Sequence, residues 1–223
     1  MSSRGKGLWR PAEFLRASRA VGISARQFER MQARVSGAAK RSATPVSGSH
    51  LGSPAAAHQI FLGVDPSLRA TGYGVIRLAR PFPQTLAHGT IACPAGWELS
   101  RCLVKIAATL RDVVRAHKPT VCVVEGLFFA QNLQTALIMG EARGAALVAV
   151  AEAGLEIYEV APRKVKQAIV GYGAAQKLAV AKMVQRMLRL AELPAPDAAD
   201  ALALALTHAQ SHGRFSLTGP KRV

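Results

Sequence analysis

The stretch that most constrains this chain is IFLGVDPSLRATGYGVI, residues 60–76. An apolar run ends in a single carboxylate, Asp65, and after a turn carrying Pro, Ser, Arg and Gly a second apolar run opens at Tyr73. That pattern reads as a β-hairpin with an acid where its first strand ends. Residues 60–64 contain no polar side chain, which suits a central strand, and an Asp emerging there is costly unless something cationic satisfies it. Taken alone, Asp65 admits a second reading, in which it caps the turn through its own backbone.

Three further acids stand at comparable places. Glu125 closes the apolar run VCVVE, and Asp197 and Asp200 lie three apart at a helix start in PDAADALALAL. Residues three apart share a helix face, and both acids gain from the dipole at that end. If the strands ending in Asp65 and Glu125 are parallel neighbours, both carboxylates emerge at one sheet edge. The helix by itself also fits a plainer reading, with Asp197 as N-cap and Asp200 as its box partner. Residues 61–223 hold only seven other acids, so four at element ends point jointly to a shared divalent-metal site. Carboxylates without His or Cys select a hard ion such as Mg²⁺ or Mn²⁺, and such clusters serve phosphodiester hydrolysis. His88, His117, His208 and His212 are scattered and support no histidine mechanism; His208 reads as packing or surface. The stretch GYGAAQK, residues 171–177, lacks the spacing and final Ser/Thr of a phosphate-binding P-loop.

Charge narrows the substrate. The chain carries a net +16 over 223 residues, a surplus that favours nucleic acid first and an acidic membrane second. Ten of its Lys/Arg face two acids in residues 1–60, a net +8. Residues 1–58 are rich in Arg, Ser, Ala and Gly and read as a basic disordered extension, with helix expected only around residues 13–35. The same composition suits an organelle transit peptide or a start codon set too far upstream. Residues 59–211 form the expected nuclease domain, and 212–223 a basic flexible tail. No membrane segment is expected, because Arg143 and Glu152 interrupt the most apolar helix. Cys93, Cys102 and Cys122 sit in apolar stretches and read as buried free thiols, which places the protein in the cytoplasm.

Along that domain the periodicity predicts strands over residues 60–65, 72–78 and 85–93 as an antiparallel meander, then a helix over 98–116 stopped by Lys118-Pro119. A strand at 121–125 follows, then a helix at 133–153 whose second half is apolar or small on almost every side and so must be covered on two faces. A fifth strand at 155–160 precedes helices at 162–171, 174–190 and 197–210, the first opened by Pro162.

In order, the blocks VDPSLRATGYGVI, VVEGLFFAQN, GEARGAALVA, RKVKQAIVGYGAAQK and DAADALALALTHA resemble the RuvC family of bacterial Holliday-junction resolvases. The resemblance covers about residues 60–211. It implies an α/β, ribonuclease H-like fold with a five-stranded mixed sheet flanked by helices. It also implies a homodimer that nicks two opposed strands of four-way junction DNA with Mg²⁺, Mn²⁺ being the expected substitute. It places the family's catalytic, metal-binding acids on Asp65, Glu125, Asp197 and Asp200, its junction-facing basic residues on Lys166 and Lys177, and its junction-inserting aromatic on Phe128. Phe128 and Phe129 follow Glu125 in a loop where exposed aromatics waste apolar area unless a base stacks on them, and one of the two is expected in the core. Nothing in the family corresponds to residues 1–58. Two alternatives stay open: a ribonuclease H-like nuclease for RNA/DNA hybrid or structured RNA, and a non-catalytic junction-binding protein. Sequence leaves open whether a branch-migration motor is a partner.

Overall fold

A computed structural model describes residues 59–126, 132–211 and 221–223. Strands β1 (Ile60–Asp65), β2 (Ala70–Arg77) and β3 (Gln84–Ala92) form the expected antiparallel meander. Helix α1 (Leu99–His117) crosses to β4 (Val121–Glu125), which lies parallel to β1, and α2 (Leu133–Ala151) leads to β5 (Glu156–Val160), parallel to β4. Helices α3 (Pro162–Val170), α4 (Lys177–Leu188) and α5 (Pro196–Ser211) follow. Among the described residues the sheet has six strands in the order β3-β2-β1-β4-β5-β6, the last being β6 (Lys221–Arg222).

That sixth strand is one more than the expected five, and of the expected flexible tail residues 212–220 lie outside the described residues. Arg222 and Lys221 pair antiparallel with Tyr158 and Glu159, and Arg222 forms an ion pair with Glu156 at 3.1 Å. A two-residue basic strand has no alternation to announce it, since backbone groups on an open sheet edge do the pairing. Residues 1–58, including the stretch expected to be helical, and Phe128 and Phe129 lie outside the described residues.

Period-two alternation divides the core into two layers. Leu62, Val64, Cys122 and Val124 face α1 and α2, while Phe61, Val121 and Val123 face α3, α4 and α5. By the same alternation Asp65 and Glu125 belong to the α5 side. Helix α5 lies against the sheet with almost no side chain between them. A Cβ at Gly63 would fall 1.9 Å from the Ala201 carbonyl oxygen, and one at Gly72 would fall 2.0 Å from that of Asp197. Only glycine permits that approach, and the small Ala-rich face of α5 completes it. His208 is buried on this helix between the rings of Phe61 and Tyr158, at 6.0 and 4.6 Å, so it packs. The three cysteines are buried and free.

Helix α2 has the length and apolar character of a membrane span, yet it packs on α1 through Ala142, Ala146, Ala149 and Val150 with Arg143 buried among them. Its other side is open: Leu133, Leu137 and Val148 are 76%, 58% and 52% exposed. At Gly140 and Gly144, on that same side, an added Cβ would meet nothing within 4 Å. Among the described residues, the helix expected to be covered on two faces is thus covered on one.

Candidate active site

The ladder sets where the carboxylates stand. Asp65 opposes Gly72 across the β1–β2 pair, and Val64 lies beside Val124, so Asp65 and Glu125 end adjacent parallel strands on one face. The turn after Asp65 is closed by the buried Thr71, whose hydroxyl donates to the Ser67 carbonyl at 2.6 Å and accepts from the Ser67 N–H at 3.2 Å. Turn closure therefore does not draw on Asp65. Helix α5 starts at Pro196, with the Ala199 N–H on the Ala195 carbonyl at 2.8 Å, so Asp197 stands inside the first turn and is not its N-cap. Because the Asp197 backbone rests on Gly72, Asp65's ladder partner, the first turn of α5 sits over the end of β1.

The four acids interact as a group. Burial pushes the Glu125 carboxyl up to about 8, with the negative charge of Asp65, their shared hydrogen bond and Asp200 adding to the rise. Asp65 is also raised, by burial first and then by Asp200; the hydrogen bond from Glu125 and the charge of Lys177 partly offset this. Near neutral pH Glu125 keeps its proton and donates it to the Asp65 carboxylate. Lys177, the first residue of α4, places its Nζ 3.0 Å from Asp200 Oδ2, and that bond raises the lysine's pKa. Lys166, half-buried on α3, joins Glu125, Lys177 and Asp200 in lining a cleft of about 250 Å³ floored by Pro162, Val165 and Val180. Both lysines foreseen as phosphate contacts thus border the carboxylates.

The donor set fits a hard divalent cation: it is all oxygen, and its surplus negative charge is relieved here by a retained proton on one side and an ammonium on the other. Among the described residues no three His, Cys, Asp or Glu side chains are drawn together tightly enough to grip an ion as they stand. The proton on Glu125 and the Lys177–Asp200 pair are the contacts that cation binding would replace.

Two neighbours of the carboxylates escape a reading by motif. Arg143 donates to the backbone carbonyl of Glu125 and pairs with Glu159 Oε2 at 2.5 Å. An arginine in the middle of an apolar helix signals a buried anionic partner, although the strand EIYEV offers two acids and does not say which one it is. Thr71 leaves no such trace.

Comparison with known proteins gives the family of the chain. Residues 61–208 match the family described as crossover junction endodeoxyribonuclease RuvC. The RuvC of Rubrobacter xylanophilus is 43% identical over 162 residues, covering 72% of this chain and 90% of that protein. The RuvC of Stutzerimonas stutzeri is 45% identical over 166 residues, covering 73% and 95%. Among solved structures, T. thermophilus RuvC in complex with Holliday junction substrate superposes with a TM-score of 0.64 at 36% identity, over 68% of this chain and 93% of that one. The yeast mitochondrial Holliday junction resolvase Ydc2 shares the fold, with a TM-score of 0.50 at 11% identity, over 67% and 77%. With a ribonuclease H-like sheet, its acids at one edge and relatives of this similarity over nearly their whole length, the chain belongs to the RuvC family of crossover junction endodeoxyribonucleases.

Proposed function

We propose that this protein is a homodimeric, Mg²⁺-dependent endodeoxyribonuclease that resolves four-way DNA junctions by paired hydrolytic nicks, Mn²⁺ being able to substitute. The observation that carries this reading is the meeting of Asp65, Glu125, Asp197 and Asp200 at one sheet edge beside Lys166 and Lys177, in a chain of this family. The four acids are the catalytic, metal-holding set. A divalent ion held by them supplies Lewis acidity toward a phosphate oxygen and a more acidic water. The chain's own residues do the rest. The strand ends orient Asp65 and Glu125, and Glu125 releases its proton as positive charge arrives. Lys177 exchanges Asp200 for the phosphate, and Lys166 neutralises the same strand from the far side of the cleft. Phe128, three residues past Glu125, stacks on an opened base of the junction.

Pairing of two copies through the open face of α2 gives one site for each opposed strand. Leu133, Leu137 and Val148 supply apolar area, and Gly140 and Gly144 let the helices come close. Chemistry resides in residues 59–211, while residues 1–58 add charge-driven affinity that fades with salt. Buried free thiols suit the reducing cytoplasm.

The test gives purified protein a four-way DNA junction, a linear duplex and an RNA/DNA hybrid, each with Mg²⁺ or EDTA. Symmetric nicks in the junction alone, lost with EDTA and with Asp65→Asn, are expected. Preferential cutting of the hybrid would replace this reading with a ribonuclease, and metal-independent binding without any cutting would end the enzyme reading.

A further inference from the structure

We propose that Arg143 is the positioning residue for Glu125, a clamp reaching through the sheet edge from the face opposite the carboxylates. Its guanidinium is buried on α2, 7% exposed. One arm donates to the Glu125 backbone carbonyl, and the other pairs with Glu159 at 2.5 Å. Glu159 lies opposite Val124 in the β4–β5 register, and Val124 faces the α1–α2 layer, so the ion pair stands behind the strand whose front carries the Glu125 side chain.

Glu125 is the last residue of the ladder, where a strand's carbonyls run out of strand partners. Arg143 supplies a donor there. One residue on, the Gly126 N–H bonds the Val160 carbonyl at 2.9 Å. A Cβ at Gly126 would come within 3.2 Å of the Glu159 Cγ and Oε1, so glycine there leaves Glu159 room to reach the arginine. The end of β4 is therefore tied to β5 by its backbone and to α2 by a charged, two-armed fork.

The clamp has a task because Glu125 is the last residue of its strand, and its carboxyl must be aimed at groups that belong to β1 and α5. A planar guanidinium holds two acceptors in fixed directions, whereas a lysine offers a single point charge. A drift of about 1 Å in a reacting constellation costs ~100-fold in rate, which is the scale of effect expected of a positioning residue.

This inference rests on the nuclease reading of the four acids, so its test separates the two. The full chain is compared with Arg143→Lys and with the double variant Arg143→Met/Glu159→Gln, which removes both buried charges together and avoids stranding one. Four quantities are measured: the urea midpoint, junction affinity in EDTA, single-turnover nicking at saturating protein with Mg²⁺, and the Mn²⁺ concentration at half-maximal thermal shift without DNA. The double variant is expected to fold and to bind junction normally, to nick ~100-fold more slowly, and to need ~10-fold more Mn²⁺. Arg143→Lys keeps a charge for Glu159 and is expected to recover the urea midpoint with only part of the rate. A folded double variant with wild-type rate and Mn²⁺ midpoint would reduce the pair to a stability element and overturn the proposal. If the double variant does not fold, wild-type rate and Mn²⁺ midpoint in Arg143→Lys overturn it equally. If the wild type fails to nick junctions, the proposed function falls while the Mn²⁺ midpoints still decide the clamp.

Discussion

Replacing Glu125 by glutamine should stabilise the metal-free protein, and by an amount that grows with pH. The folded pKa of Glu125 is about 8 against an ordinary 4.5. Between those values the folded chain holds a proton that the unfolded chain has released, so stability falls as pH rises through the window and levels off above about 8. The full gap between the two pKa values corresponds to ~5 kcal/mol. Glu125 is only partly buried, so solvent screening reduces the expected loss to ~2–3 kcal/mol. Asp65 is raised as well and contributes with the same sign. Glutamine removes Glu125's share, because its amide donates to the Asp65 carboxylate as the protonated acid does and never ionises. Urea unfolding in EDTA measures this directly. Glu125→Gln and wild type should agree within ~1 kcal/mol near pH 5 and diverge by ~2–3 kcal/mol near pH 9, the variant being the more stable. Mg²⁺ should then stabilise the wild type more than the variant, since only the wild type has the extra carboxylate to offer. A difference that stays flat with pH, or a wild type more stable at pH 9 without metal, would refute the account of Glu125 as a crowded acid awaiting a cation.

Gly63→Ala would set a Cβ 1.9 Å from the Ala201 carbonyl oxygen; it should cost ~3 kcal/mol or more in urea unfolding, at the upper end of overpacking, and an unchanged midpoint would refute the direct helix-on-sheet contact. Lys177→Met frees Asp200 from its ammonium, so the metal-free protein should bind Mn²⁺ more tightly in a thermal-shift titration. The gain is at most ~5-fold because the lysine is 71% exposed, while nicking slows; weaker metal binding would show that Lys177 does not compete with the cation. Leu137→Glu on the open side of α2 should convert a dimer to a monomer by light scattering with little change in unfolding midpoint, and a wild type that is monomeric at micromolar concentration would dismiss that face as the pairing surface.

Much of this site was legible because strand ends and helix starts are marked in sequence. The apolar runs closing on Asp65 and Glu125 gave the strands to within a residue or two, and the three-residue spacing of Asp197 and Asp200 gave their common face. What the sequence could not decide was which local alternative held. Asp65 as a turn cap and Asp197 as an N-cap were both reasonable until Thr71 was seen to close the turn and Ala195 to stand at the helix N-cap, ahead of Pro196. Contacts across the sheet were the least legible. Lys177 carries no mark of lying on Asp200, 23 residues away, and the Gly72–Asp197 approach is visible only once α5 is docked. β6 was missed because two basic residues on an edge have no pattern of their own.

The contact of α5 with Gly63 and Gly72 divides the four acids into a fixed jaw and an adjustable one. Asp197 rides on main chain that rests on main chain, directly over the strand that ends in Asp65, with no layer of side chains to give way between them. Asp200 shares that helix turn. Glu125 belongs to a different strand end, held by the Arg143 fork and not by main-chain contact with α5. Mg²⁺ binds oxygen at ~2.0–2.1 Å and Ca²⁺ at ~2.3–2.6 Å, so exchanging one ion for another changes the gap the jaws must close. If the four acids hold the ion as proposed, the side to move is that of Glu125, because a hydrogen-bonded fork yields before main chain packed on main chain does.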